Sequence, residues 1–121
     1  MILKRLECEF SICKLTDFSS IDLSPPFHFA ARTDEEYSLV CPTSDVPKHT
    51  LARDDGWRAF RIEGVLDFSL IGILARISTL LAENQIGIFA VSTYNTDYIL
   101  TKAGDYDRAL QVLSDNGWRV L

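Results

Sequence analysis

The second half of the chain, residues 57–121, alternates between two hydrophobic periodicities, and this succession restricts the fold more than any other feature. One apolar stripe recurs at i, i+3, i+4, i+7, i+10 and i+11, which predicts an amphipathic helix capped by Ser69. A second stripe predicts a helix that starts at 104–105 and ends before a left-handed Gly117. The stripes consist of Leu70, Ile73, Leu74, Ile77, Leu80 and Leu81, and of Tyr106, Ala109, Leu110 and Leu113.

Strand-forming segments separate and flank these helices. Their composition and period of two predict strands at 57–63, 88–93, 98–102 and 118–121. The order is therefore β-α-β-β-α-β, the split βαβ or ferredoxin-like arrangement, in which two helices cover one face of an antiparallel sheet. We predict an α+β fold for this half.

The first half, residues 1–56, repeats this pattern in a degenerate form. Its first strand alternates, so that Ser11 and Cys13 are expected to face away from Leu6, Cys8, Phe10 and Ile12. Prolines shorten both helical segments, and residues 42–56 read as a connection with a short helix at 45–49 and an acidic turn at 54–56. We predict strands at 3–15, 28–33 and 37–41, and tandem halves divided as 1–56 and 57–121.

Charge and cysteine content exclude several classes of protein. The 17 acidic and 12 basic residues give a net charge of −5, which leaves no basic face for nucleic acid or for an anionic membrane. The three cysteines fit neither a disulfide framework nor a zinc site. Early charges interrupt any leader sequence, and no apolar run could span a membrane. We expect a soluble, cytoplasmic protein without cofactor or metal.

No set of residues predicts catalysis. The nucleophile motif GxSxG and the phosphate loops GxGxxG and GxxxxGK[ST] are absent from the sequence. The acidic residues at 34–36 are typical of a solvated turn. An enzyme would require His28 or His49, the only histidines, to lie beside a carboxylate in a pocket. We therefore expect a protein that is not an enzyme.

Two segments have features that core packing alone does not explain. In residues 64–74, Gly72 would cost about 1 kcal/mol against alanine inside a helix, which indicates either a bound carboxylate or close packing. Residues 91–98 place a polar run between two apolar strands, where a tight turn is the simpler explanation. We expect the two segments at opposite ends of the sheet, so that a pocket requires paired units.

These segments resemble ACT domains. Residues 72–87, GILARISTLLAENQIG, are similar to the family's helix pattern, and residues 88–100, IFAVSTYNTDYIL, resemble one branch of small two-ACT proteins related to the CASTOR and aspartokinase regulatory domains. Residues 32–42, RTDEEYSLVCP, resemble the first half of the same branch. The resemblance implies a homo-oligomeric regulatory module that holds an amino acid between ACT units and acts in trans on a protein partner.

The resemblance also implies which residues face the ligand. Backbone N–H groups near Ile71 to Ile73 would hold an α-carboxylate, and Asp97 would bind an α-amino group or a basic side chain. The full set is Asp67, Phe68, Ser69, Ile71, Gly72, Ile73, Ser92, Thr93, Asn95, Thr96 and Asp97. The alternative is a protein–protein adaptor in which the sheets only mediate assembly and no small ligand binds.

Overall fold

The computed structural model describes residues 1–64 and 71–121 and contains seven strands and two α-helices within them. The strands are β1 (Ile2–Leu15), β2 (Phe29–Arg32), β3 (Tyr37–Pro42), β4 (Ala52–Ile62), β5 (Phe89–Ser92), β6 (Asp97–Lys102) and β7 (Arg119–Val120). The helices are α1 (Ile73–Glu83) and α2 (Ala103–Asp115), and one turn of 3-10 helix covers Thr43–Asp45.

The chain forms two compact units. Unit 1 combines Met1–Glu7 with Arg58–Leu121, and unit 2 is the continuous segment Cys8–Trp57. Strands β1 and β4 each contribute residues to both units. The division into ACT-like halves at 56/57 remains a prediction, and the first seven residues belong by their contacts to unit 1.

Unit 1 has the predicted α+β fold with one additional strand. Its strands lie in the order β7-β1-β4-β6-β5, so the start of the chain lies between the first and last strands of the βαββαβ segment. Ile2 and Leu3 pair in parallel with β7, while β5 and β6 are antiparallel. The helical stripes and the sheet form one core: Leu3, Phe60, Ile62, Ile73, Ile77, Leu81, Ile86, Ile99, Tyr106, Ala109, Leu110, Leu113 and Trp118.

Unit 2 orders its strands β2-β3-β1-β4 around a small core of Cys13, Leu15, Leu39 and Cys41. Ser11 and Cys13, on the face of β1 opposite Phe10, are also buried, with 0% and 3% of their surface exposed. Ser11 Oγ donates to Asp55 at 2.5 Å and lies 2.9 Å from the Thr43 hydroxyl, so its burial leaves no unpaired group. Hydrophobic periodicity does not detect such a residue because its partners are distant in sequence.

The hairpins β2–β3 and β5–β6 are repeats of one structure. Phe29 pairs with Val40 and Phe89 pairs with Leu100, and equivalent residues differ by 60 in number along both hairpins. The 3-10 turn and α2 follow the two hairpins at the same offset, after residues with nearly identical backbone angles (φ −53°, ψ 139° and φ −57°, ψ 142°). The predicted internal repeat is confirmed in these elements.

Two predicted features of residues 42–56 are wrong. The short helix at 45–49 is instead a single 3-10 turn at Thr43–Asp45, because Pro47 cannot donate the hydrogen bond that would continue a helix. The acidic turn at 54–56 lies inside β4, which begins at Ala52. The Leu51 amide donates to the Lys14 carbonyl at 2.8 Å, so β1 already pairs with the chain here.

Candidate functional site

The loop between β5 and β6 closes against the end of β4. Thr96, which is 6% exposed, donates its hydroxyl to the Ile62 carbonyl at 2.7 Å. The Thr93 amide donates to the Thr96 carbonyl at 2.9 Å and forms a tight turn around Tyr94 and Asn95. The expectation of opposite sheet ends is wrong, because the hydrogen bond between Thr96 and Ile62 holds the β5–β6 turn against the end of β4.

This edge contains a recess of about 220 Å³, which we call the sheet-end recess. It is lined by Arg61, Glu63, Gly64, Asn95, Thr96 and Tyr98. Successive strand residues point to opposite faces, so Arg61 and Glu63 share one face while Phe60 and Ile62 enter the core on the other. The charged groups therefore lie on the face of the sheet that the helices do not cover.

Arg61 lies at the centre of the polar contacts in this recess. It donates to the Tyr98 hydroxyl at 3.3 Å and to the Glu63 carboxylate at 3.4 Å, and its guanidinium lies 6.0 Å from the Tyr98 ring centroid. The hydrogen bond with Tyr98 raises the pKa of Arg61 above its usual range, so the guanidinium keeps its charge. Both distances are long for charge-assisted hydrogen bonds, so a ligand could replace either contact.

The structure brings together only some of the predicted ligand-facing residues. Asn95 and Thr96 line the sheet-end recess, and Thr93 forms the turn beside it. Ser92 donates its hydroxyl to Asp97 at 2.6 Å, across the paired strands. Asp97 precedes Tyr98 on β6, so its side chain points to the face opposite the recess.

The start of α1 lies at a different surface. Gly72 lines a groove of about 460 Å³, the α1 groove, together with Arg76, Thr79 and Trp118. Ile71 is 94% exposed, and Ile73 is 8% exposed and packs in the core. The predicted Asp67, Phe68 and Ser69, with the Ser69 cap, lie outside the described residues.

Gly72 is the N-cap of α1, whereas the sequence placed it inside the helix. Its φ of +83° lies in the left-handed region, and a Cβ added there would meet nothing within 4 Å. The glycine is therefore explained by its backbone angle rather than by a close neighbour.

Sequence reasoning did not identify Arg61 and Glu63 as site residues. Their signal is two opposite charges at i and i+2 in a strand whose alternate positions are apolar. This pattern alone is typical of any solvent-facing strand, and only the adjoining β5–β6 loop marks it as part of a recess.

Other reactive groups lie elsewhere. His28 Nε2 is 3.5 Å from the Asp45 carboxylate in unit 2, outside the two surfaces described above. Burial raises the pKa of the Cys41 thiol to about 12 and also raises that of Cys13, which leaves both thiols protonated at neutral pH. Within residues 1–64 and 71–121, no three potential ligands are grouped to hold a metal ion, and no helix is long and apolar enough to cross a membrane.

Comparison with models of protein families identifies the family to which the chain belongs. The model described as the ACT domain matches residues 52–115, more than half of the chain. The chain belongs to the ACT-domain family. ACT domains are in general regulatory modules that bind small molecules, and the predicted family is thus confirmed.

Solved structures agree with this assignment. The crystal structure of protein Atu0741 from Agobacterium tumefaciens is 31% identical, with a TM-score of 0.86 over 99% of this chain and 91% of that one. Aspartate kinase from Clostridium acetobutylicum is 12% identical, with a TM-score of 0.64 over 93% of this ACT protein and 33% of the kinase. A putative C-terminal regulatory domain of aspartate kinase from Porphyromonas gingivalis is 18% identical, with a TM-score of 0.55 over 93% and 92% of the two chains. The last two show the fold alone. Comparison with curated protein sequences gives no significant match.

Proposed function

We propose that this ACT protein is a regulatory module that binds a free amino acid in the sheet-end recess and acts in trans on another protein. The observation that carries the proposal is the pair Arg61 and Glu63, which places a guanidinium and a carboxylate on one wall of the recess. An α-amino acid carries the complementary pair of charges, a carboxylate and an ammonium group. Family membership supports small-molecule binding but does not name the ligand.

The charged groups in the recess can exchange their present contacts for contacts with a ligand. Arg61 and Glu63 are 25% and 33% exposed, so both are open to a ligand. The α-carboxylate would accept hydrogen bonds from the guanidinium, and the α-ammonium would donate to Glu63. The turn residue Asn95, which is exposed at the rim, supplies amide donors and acceptors for the ligand's side chain.

The size of the recess supports binding at an interface between two copies. Ligand pockets enclose about 300–1,000 Å³ and bury most of the ligand, whereas this recess has about 220 Å³ and is open to solvent. A second ACT unit placed against the recess would cover the exposed side of a bound amino acid. We therefore propose a homo-oligomer in which the ligand and the neighbouring copy complete the site together.

Thermal unfolding with each common amino acid at millimolar concentration tests this proposal. A ligand at about 100 times its Kd stabilises the folded state by about 2.7 kcal/mol, which raises Tm measurably. Arg61→Gln is expected to abolish the shift, because the carboxylate loses its cationic partner. Arg53→Gln is the matched control, since Arg53 is also paired with a carboxylate but belongs to unit 2.

Two results would contradict the proposal. One is the absence of a shift with every amino acid, and the other is that Arg61→Gln leaves unchanged the shift caused by every amino acid that produces one. The alternative function, an adaptor without a small ligand, predicts the first result together with an oligomer whose mass is the same with and without amino acids. Light scattering of the purified protein measures that mass directly.

A further inference from the structure

A second cleft, separate from the sheet-end recess, lies between α2 and the paired strands β1 and β7 in unit 1. This α2 cleft has about 480 Å³, within the range of small-molecule sites, and its polar lining includes Arg5, Asp107, Gln111, Ser114 and Arg119. The three α2 residues follow one another at i, i+4 and i+7, which places them on one face of the helix. The two arginines come from neighbouring strands, since β1 and β7 pair at Leu3 and Val120.

Arg5 and Arg119 differ from the other arginines of the protein in the contacts that their guanidinium groups make. Six arginines each contact a carboxylate, a carbonyl oxygen or an aromatic ring of their own unit: Arg32, Arg53, Arg58, Arg61, Arg76 and Arg108. Within residues 1–64 and 71–121, the guanidinium groups of Arg5 and Arg119 form no hydrogen bond or ion pair. Both line the same cleft in a chain whose net charge is −5.

The charges of the lining indicate the chemical class of the ligand. Two guanidinium groups attract two anionic groups, whereas the carboxylate of Asp107 repels a polyanion and favours a cationic group nearby. An acidic α-amino acid has two carboxylates and one ammonium group, and its net charge balances that of the cleft. Gln111 and Ser114 add neutral hydrogen-bonding groups on the same wall.

We propose that the α2 cleft is a second ligand site, specific for an acidic amino acid. Arg5 and Arg119 each hold one carboxylate, and Asp107 accepts a hydrogen bond from the ammonium group. This site shares no residue with the sheet-end recess, so it would give the protein two independent inputs. The proposal holds whether or not the recess binds an amino acid.

Isothermal titration of the full chain with L-aspartate and with L-glutamate tests the assignment. Saturable binding of one of them is expected, and Arg5→Gln or Arg119→Gln is expected to raise its Kd at least tenfold. Lys4→Gln is the matched control, because Lys4 is an exposed cation beside Arg5 that does not line the cleft. Circular dichroism of each variant checks that the fold is retained.

A second variant tests the orientation of the ligand. Asp107→Asn is expected to weaken binding of the amino acid and to strengthen binding of the matching dicarboxylate, succinate or glutarate, which has no ammonium group. Arg61→Gln separates the two sites: binding that Arg61→Gln removes belongs to the sheet-end recess, and binding that Arg5→Gln or Arg119→Gln weakens belongs to the α2 cleft. The proposal is overturned if neither acidic amino acid binds, if Arg5→Gln and Arg119→Gln both bind like the parent, or if only Arg61→Gln removes binding.

Discussion

At the scale of the residue, the buried polar groups of unit 1 hold its elements in register. Tyr106, 2% exposed, donates its hydroxyl to the Ala59 carbonyl at 2.7 Å and so ties α2 to β4. The Thr96 hydroxyl likewise links the β5–β6 turn to the end of β4. Because an unpaired buried carbonyl is unfavourable, each hydroxyl fixes the position of the element that carries it.

Thr96→Val tests this role at the edge of the sheet-end recess. The substitution keeps the shape of the side chain but leaves the Ile62 carbonyl without its partner, so we expect the free energy of unfolding to fall by about 1–3 kcal/mol. Urea denaturation measures the difference. Thr79→Val, at an exposed position of α1, is the control and should change stability by less than about 0.5 kcal/mol. Equal effects at both sites would contradict the role of the hydrogen bond.

The buried thiol of Cys41 predicts a loss of stability in alkali. Its pKa is raised by burial from 9.0 to about 12, so above pH 9 the unfolded chain releases a proton that the folded protein retains. The free energy of unfolding should therefore fall between pH 9 and 12, by about 1–2 kcal/mol at pH 10.5. Urea denaturation at pH 8 and pH 10.5 measures the loss, and Cys41→Ala should make it smaller. An identical loss in the variant would contradict this assignment.

At the scale of the element, the start of α1 depends on one backbone angle. Gly72 adopts φ +83° directly before the first helical residue, and its carbonyl accepts the hydrogen bond of the Arg76 amide at 2.9 Å. Ile71 is left almost fully exposed by the same turn. The left-handed N-cap thus determines the direction in which the chain enters the helix.

A pair of glycine substitutions separates backbone strain from packing. Gly72→Ala should destabilise the protein by about 1–2 kcal/mol, because alanine disfavours the left-handed region. Gly104→Ala should stabilise it by about 0.4–1 kcal/mol, because Gly104 lies in the first turn of α2 without a positive φ. A Cβ at either position would meet nothing within 4 Å, so packing contributes to neither change. Thermal unfolding that shows the same sign for both would contradict this explanation.

The elements of unit 1 were predictable because each has a strong local pattern. Ile73, Ile77 and Leu81 are buried as the helical stripe requires, and Gly117 has the predicted positive φ of +95°. The recess was not predictable, since it depends on which strand ends adjoin. Thr96 and Ile62 are distant in sequence, and only the pairing order of the sheet brings them together.

At the scale of the whole molecule, unit 1 is assembled from both ends of the chain. The Arg119 amide donates to the Met1 carbonyl at 3.0 Å, and the Glu63 amide donates to the Ile2 carbonyl at 2.8 Å. Leu3, 0% exposed, belongs to the main core. The first seven residues therefore belong to the same compact unit as most of the segment 52–115 that the ACT-domain model matches.

Residues 57–121 expressed alone should fail to fold cooperatively. This fragment lacks the strand between β7 and β4 and loses the buried Leu3, whose removal alone should cost about 2–5 kcal/mol. Circular dichroism and urea titration of the fragment measure the effect. The control joins Glu7 to Arg58 through a short Gly–Ser linker, which restores unit 1 without unit 2 and should unfold in one transition. Cooperative unfolding of 57–121 alone would contradict the structural role of residues 1–7.

The position of β1 between β4 and β7 also affects the order in which the two units can fold. Ile2 and Leu3 pair with Arg119 and Val120, which follow them by 117 residues in the chain. Contacts so distant in sequence close slowly. Unit 2 is a continuous segment whose synthesis ends at residue 57, so its strands can pair while the ribosome is still translating the rest. Unit 1 can be completed only after β7 has been synthesised, because Leu3 of β1 lies in its core and pairs with Val120.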